Sequence, residues 1–172
     1  MEAFFTTVLR WPVVEDYFTS FVWAWPLNEI MHFVGLSLLV GTVGMYDLRL
    51  LGFARGMPVA SLRQLLPWGV FGFVLVTVTG LMFTTGIYYN IAVEPGEVLV
   101  ADGFLQLKLI FYFLAGINLF AFYRTGMSRV VGDLGAGEDA PLLAKTLAGA
   151  SLFFWIAVMY FGRLIPFGQL HL

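Results

Sequence analysis

His32 stands at the start of a long apolar run, Asn28-Glu29-Ile30-Met31-His32-Phe33-Val34-Gly35-Leu36. It is one of two histidines; the other, His171, is the penultimate residue. An ionisable group at membrane depth is costly and marks a candidate site by default. A neutral imidazole there has two main uses: it ties helices together by hydrogen bonds, or it ligates a metal such as haem iron. Glu29 precedes His32 by three positions and shares its helix face. One Glu-x-x-His supplies half of a carboxylate-bridged di-iron site, which also needs a second copy and further glutamates. The chain has no such second copy. Glu29 therefore orients His32 or rests among headgroups.

Three more polar groups fall at the same predicted depth. Lys108 sits four residues into the third apolar segment, at roughly 6 Å, and His32 five residues into the first, at roughly 8 Å. Arg163 lies at the end of the fourth segment, and Tyr88 with Tyr89 at the end of the second. The lysine either snorkels to the interface or pairs with a buried carboxylate such as a haem propionate. Arg163 has the same two options, with a guanidinium that matches carboxylate geometry. Four segments thus each deliver a polar group to one layer.

The elements that carry this layer follow from composition. Of 172 residues, 60% are apolar and 12% charged, with mean hydropathy +0.87. Soluble domains carry about 25% charged residues, so the chain reads as an all-α integral membrane protein of one domain. A spanning helix needs about 20 apolar residues. Such segments cover 27–53, 62–89, 104–124 and 142–164, with Pro67 predicting a kink or late start in the second. Residues 1–22 mix Phe4, Phe5, Val8, Leu9, Trp11 and Val14 with Glu2, Arg10, Glu15 and Asp16. That pattern suits an interfacial helix rather than a signal peptide. Short links predict an up-down-up-down four-helix bundle. The loop 125–141 is rich in glycine and acidic residues.

Charge sets the expected topology. Arg49, Arg55, Arg63, Arg124, Arg129 and Lys145 gather on one side, which the positive-inside rule makes cytoplasmic. Both termini then lie in the periplasm of a bacterial inner membrane. In Tyr46-Asp47-Leu48-Arg49, the acid and the arginine are two apart and cannot pair on one face; they read as topology and packing residues. Thr77, Thr79, Thr84 and Thr85 are expected to bond back to their own helix. The net charge of −2 gives no reason to expect nucleic acid. With no cysteine, iron–sulfur clusters and thiolate sites are excluded.

The stretch from His32 through Gly35-Leu36 and Gly41-Thr42 to Asp47-Leu48-Arg49-Leu50-Leu51-Gly52 resembles a bacterial family of four-helix membrane proteins of unassigned function. Leu66-Pro67-Trp68, Thr79-Gly80 and Leu107-Lys108 followed by Asn118 extend the resemblance over most of 25–125. An early His in the first helix and a Lys in the third are also distantly similar to HemJ-type protoporphyrinogen oxidases and CopD-type membrane domains. The HemJ resemblance implies a b-type haem, with the His–Lys pair at His32 and Lys108. The longer HemJ signature around the first helix is missing, as is any Met- or His-rich copper motif.

Counting limits the haem number. A two-haem, bis-histidine cytochrome needs four intramembrane histidines, so at most a single haem is expected. Its second ligand would be His171 folding back, Met31 or Met82, or nothing. Three functions remain open. The first is a haem b protein for electron transfer or oxidoreduction with a periplasm-facing site. His32 is the metal ligand, Lys108, Arg163, Glu29 and Tyr88 surround it, and quinone or another membrane redox protein is the partner. The second is a non-enzymatic subunit or assembly partner of a larger membrane complex. The third is metal or small-solute transport. For transport, four helices without inverted repeats make a poor alternating-access machine unless the chain forms a homo-oligomer.

Overall fold

The computed structural model describes residues 2–86 and 94–167. Among them the chain is all-helical, without strands. Four spans are long and apolar enough to cross a membrane: Ala24–Leu51, Val59–Thr85, Gly103–Arg124 and Leu142–Phe167. Two short helices precede them, α1 (Glu2–Leu9) and α2 (Pro12–Ser20). The predicted single interfacial helix is thus divided. Trp11 takes an extended conformation, and Pro12 opens α2 at the first turn, where its missing N–H costs nothing.

The first span is α3 (Ala24–Leu51). It ends in a Schellman motif. Gly52 has φ of 100°, its N–H reaches the Arg49 carbonyl at 3.1 Å, and the Phe53 N–H reaches that of Leu48 at 3.0 Å. The second span is broken near Gln64-Leu65 into α4 (Val59–Arg63) and α5 (Leu66–Thr85), with Pro67 in the first turn of α5. That is the late start expected from the proline. Where this span ends beyond Gly86, including Tyr88 and Tyr89, lies outside the described residues.

Between the second and third apolar segments lies a further helix, α6 (Pro95–Ala101). Next comes α7 (Gly103–Arg124), capped by Asp102, whose Oδ1 accepts from the Phe104 and Leu105 N–H groups at 2.9 and 3.2 Å. A single turn, α8 (Met127–Val130), leads through a loop to α9 (Leu142–Leu164).

The most extensive helix pairs are α3 with α5 and α7 with α9, and α9 also packs on α3. Tyr112 of α7 bridges towards α5. Its ring stacks on Phe73 at 5.4 Å, and its hydroxyl lies 2.7 Å from that of Thr77. A central cluster joins Leu39, Ala115, Trp155 and Val158. At the His32 end, α1 packs on α6, and Arg10 bonds both Glu15 (2.8 Å) and Glu94 (3.0 Å). Phe18 is fully buried there, against Gly86.

The α3–α5 contact is set by glycine. A methyl group built on Gly72 would sit 2.6 Å from the Gly35 carbonyl oxygen and 2.7 Å from the Leu39 nitrogen. Two backbones touch here, as small residues allow in membrane helices. Gly41 on the same helix has no neighbour within 4 Å of such a methyl. Gly72→Ala must part the helices and is expected to cost about 1–3 kcal/mol. Gly41→Ala should be neutral or slightly stabilising through helix propensity. Reversible unfolding in mixed micelles compares them, and equal effects would contradict the crossing described here.

At the opposite end Arg49 is 1% exposed. Its guanidinium donates to the carbonyls of Met57, Gly135 (2.8 Å) and Glu138 (3.2 Å). It fastens both flanking loops to α3. On the loop's outer side, hydrogen bonding by Lys145, helped by the nearby Arg55, holds the Asp139 carboxyl below the usual carboxylate range. Removing the guanidinium strands three carbonyls, so Arg49→Met should destabilise by about 3 kcal/mol or more. Faster protease cleavage within 133–140 is the expected readout; an unchanged rate would mean the loop holds itself.

Candidate functional site

His32 projects from the second turn beyond Pro26 towards α5. Its Nδ1 lies 2.8 Å from the Thr79 hydroxyl. That hydroxyl has one proton, and it donates it to the Leu75 carbonyl at 2.7 Å. With that proton on the Leu75 carbonyl, the Thr79 oxygen accepts from His32 and the hydrogen is assigned to Nδ1. In the neutral ring this tautomer leaves the lone pair on Nε2. This is how an outer hydrogen bond sets the tautomer and aim of a ligating histidine. Asn28, one turn earlier and buried, donates to the Thr79 backbone carbonyl at 3.1 Å. Thr79 is thus held from α3 through both its hydroxyl and its carbonyl.

Aromatic rings close one side. His32 meets Phe83 edge-on at 5.5 Å, Phe83 meets Trp25 at 5.0 Å, and Trp25 meets Phe18 at 5.1 Å. On another side, a methyl built on Gly80 would rest 3.5 Å from His32 Cε1. The glycine leaves the ring edge uncovered by any side chain of its own.

Lys108 belongs to the same site. Its charge acts on the His32 imidazole. Its stem and ammonium lie against Gly162 of α9, 3.4–3.5 Å from where a Cβ would stand. Among the described residues no hydrogen bond or ion pair engages that ammonium. The site therefore draws on three spans: His32 from α3, Thr79 and Gly80 from α5, and Lys108 from α7, with Gly162 of α9 at its margin.

The other expected members stand apart. Arg163, next to Gly162, is exposed and lies over the Phe167 ring at 4.6 Å. Glu29 is exposed, and no bond to His32 joins it among the described residues. Tyr88 and His171 lie outside the described residues. Thr77, Thr79, Thr84 and Thr85 all bond back to their own helix, as expected. What sequence reading missed is that Thr79 also receives His32. The only signal was a threonine at the right depth, which Thr84 and Thr85 shared.

Among the described residues no group of three His, Cys, Asp or Glu could hold a metal ion. A protein-only site for zinc needs at least that many ligands. A porphyrin brings four nitrogens of its own and needs as few as one from the protein. The residues present fit the second requirement, with a lone pair on Nε2 and a cation to receive a carboxylate.

Thr79→Val keeps the shape of the side chain but removes the acceptor of the Nδ1–H. It should lower stability by about 1 kcal/mol, and Thr79→Ser should restore it. Unfolding in mixed micelles checks the pair; a valine variant as stable as the parent would remove the tie. No family model matches the chain, and no curated protein or solved structure matches it.

Proposed function

We propose that this is a multi-pass bacterial inner-membrane protein that binds one haem b through His32 Nε2. The reading is carried by one observation: His32 Nδ1 lies 2.8 Å from the Thr79 hydroxyl, which leaves Nε2 for a ligand near a lysine that has no partner among the described residues. In this reading Lys108 receives a haem carboxylate, with Arg163 and Tyr88 at the rim. Thr79, itself held by Asn28, keeps the imidazole fixed. Phe83 and Trp25 supply an apolar wall that excludes water from the ring.

The haem, when bound, supplies one-electron chemistry. The site would then serve electron transfer or oxidoreduction at the periplasmic face, with quinone or another membrane redox protein as partner. An up-down order of the four spans and periplasmic termini complete the proposal, supported by the cluster of Arg49, Arg55, Arg63, Arg124, Arg129 and Lys145.

A second reading has its own support. The His32–Thr79 bond by itself ties α3 to α5, which is all that a small non-enzymatic subunit would require. The two readings part on absorption. Protein purified in mild detergent from haem-replete cells should show a Soret band. His32→Ala should abolish it, and Lys108→Met should weaken haem retention without abolishing the band. A colourless parent protein would overturn the haem reading. Stability kept in a His32→Gln variant, which can still donate to Thr79, would then point to the structural role.

A further inference from the structure

The helix that carries His32 holds a second polar site at its other end. Fifteen residues separate His32 from Asp47, about 22 Å along the helix axis, so the two do not share a ligand. Asp47 is 6% exposed and lies within the span Ala24–Leu51. Ser151, on the facing α9, is buried and presents its hydroxyl to the carboxyl. The Oδ2 atom is fully enclosed and has no partner among the described residues.

No ion pair joins a cation to Asp47 among the described residues, although Arg49 Nη1, two residues along α3, is also enclosed without a partner there. On α3 itself, Arg49 donates to the loop carbonyls of Met57, Gly135 and Glu138. Lys145 on α9 and Arg55 in the loop are held by Asp139. Arg63 of α4 lies against Gly132. From α7, Asn118 gives its amide to the Leu147 carbonyl at 3.0 Å. The neighbouring phenols, Tyr46 and Tyr123, carry no positive charge.

An ionised carboxyl in this setting would have one oxygen facing Ser151 and one enclosed oxygen with no donor among the described residues. Enclosing a charge without a partner costs far more than enclosing a single O–H. The same oxygen that is stranded on a carboxylate is the natural place for a proton.

We propose that Asp47, with Ser151, forms a proton-binding site at the Arg49 end of the bundle. The proton sits on Oδ2, Ser151 donates to the other oxygen, and the proton exchanges with water. Loss of the proton would leave a bare charge between α3 and α9, so occupancy and the packing of those two helices are coupled. The site does not depend on whether His32 holds a haem.

Infrared difference spectroscopy of the protein in liposomes tests this at neutral pH. The parent minus Asp47→Asn spectrum should contain a protonated-carboxyl C=O band that shifts down in D₂O. Ser151→Ala should move that band to higher frequency, because the C=O loses its donor. Should Asp47→Asn fail to fold, the Ser151→Ala shift alone carries the test. Carboxylate bands in place of the C=O band would overturn the proposal, as would a band that Ser151→Ala leaves in place. A band that D₂O does not move would overturn the exchange. A band removed by sodium chloride but not by choline chloride would show that the ligand is a metal cation, and would overturn the proton assignment.

Discussion

The α3–α5 pair depends on a crossing at Gly35 and Gly72, where backbone meets backbone. Lipid tails are as apolar as leucine, so no hydrophobic force presses membrane helices together, and packing and polar ties must do so. The absence of two side chains allows the contact. Once it is made, the register of the two helices follows. His32 lies three residues from Gly35, and Thr79 lies seven residues from Gly72. The crossing brings the His32 ring and the Thr79 hydroxyl to 2.8 Å and places Asn28 on the Thr79 backbone carbonyl. Gly69 repeats the device one turn away, where it receives Thr42.

Backbone and polar groups then divide the molecule into two ends. In hydrocarbon each unsatisfied polar group costs several kcal/mol, and the chain answers differently at each pole. Around His32 the answer is side chain to side chain, across helices. Around Arg49 it is side chain to backbone: one guanidinium serves three carbonyls from two loops. That end needs the arginine because Gly135 and Gly137 lie in irregular chain, and Gly137 has φ of 86°. Such a segment cannot satisfy its own carbonyls as a helix does. The fork of an arginine is suited to the task, whereas a lysine offers one point of charge.

Hydropathy alone located the spans, since a 20-residue apolar run has few alternatives in a bilayer. The fourth, Leu142–Leu164, was legible to the residue. Short helices were not. The division at Trp11-Pro12 depends on one extended residue, and α6 depends on contacts with α1 that no local pattern encodes. The site was half legible. Cost singled out His32, and depth singled out Lys108. Depth also placed Arg163 and Glu29 in the layer, but depth carries no azimuth. Glu29 is exposed, and Arg163 turns to Phe167. Thr79 could not be chosen among four threonines without the register that Gly35 and Gly72 impose. Asp47 and Arg49 read as packing residues; Arg49 does hold the loops, and Asp47 has an oxygen that packing leaves unanswered.

The balance between a structural and a ligating His32 turns on Lys108 more than on the histidine. A purely structural tie uses Nδ1 and asks nothing of a cation. Yet Lys108 sits beyond the first turn of α7, too far along to be a simple end residue and on the wrong end of the helix dipole to gain from it. It rests against Gly162, at ordinary contact distance from where a Cβ would stand, and it lies within electrostatic range of the imidazole. A cation kept at membrane depth beside a neutral histidine is a net cost to folding unless an anion joins it. Lys108, without a partner among the described residues, is therefore the part of the site that the described fold does not explain, and it favours the proposed ligand, one that carries an acidic group to Lys108 and accepts a nitrogen from His32.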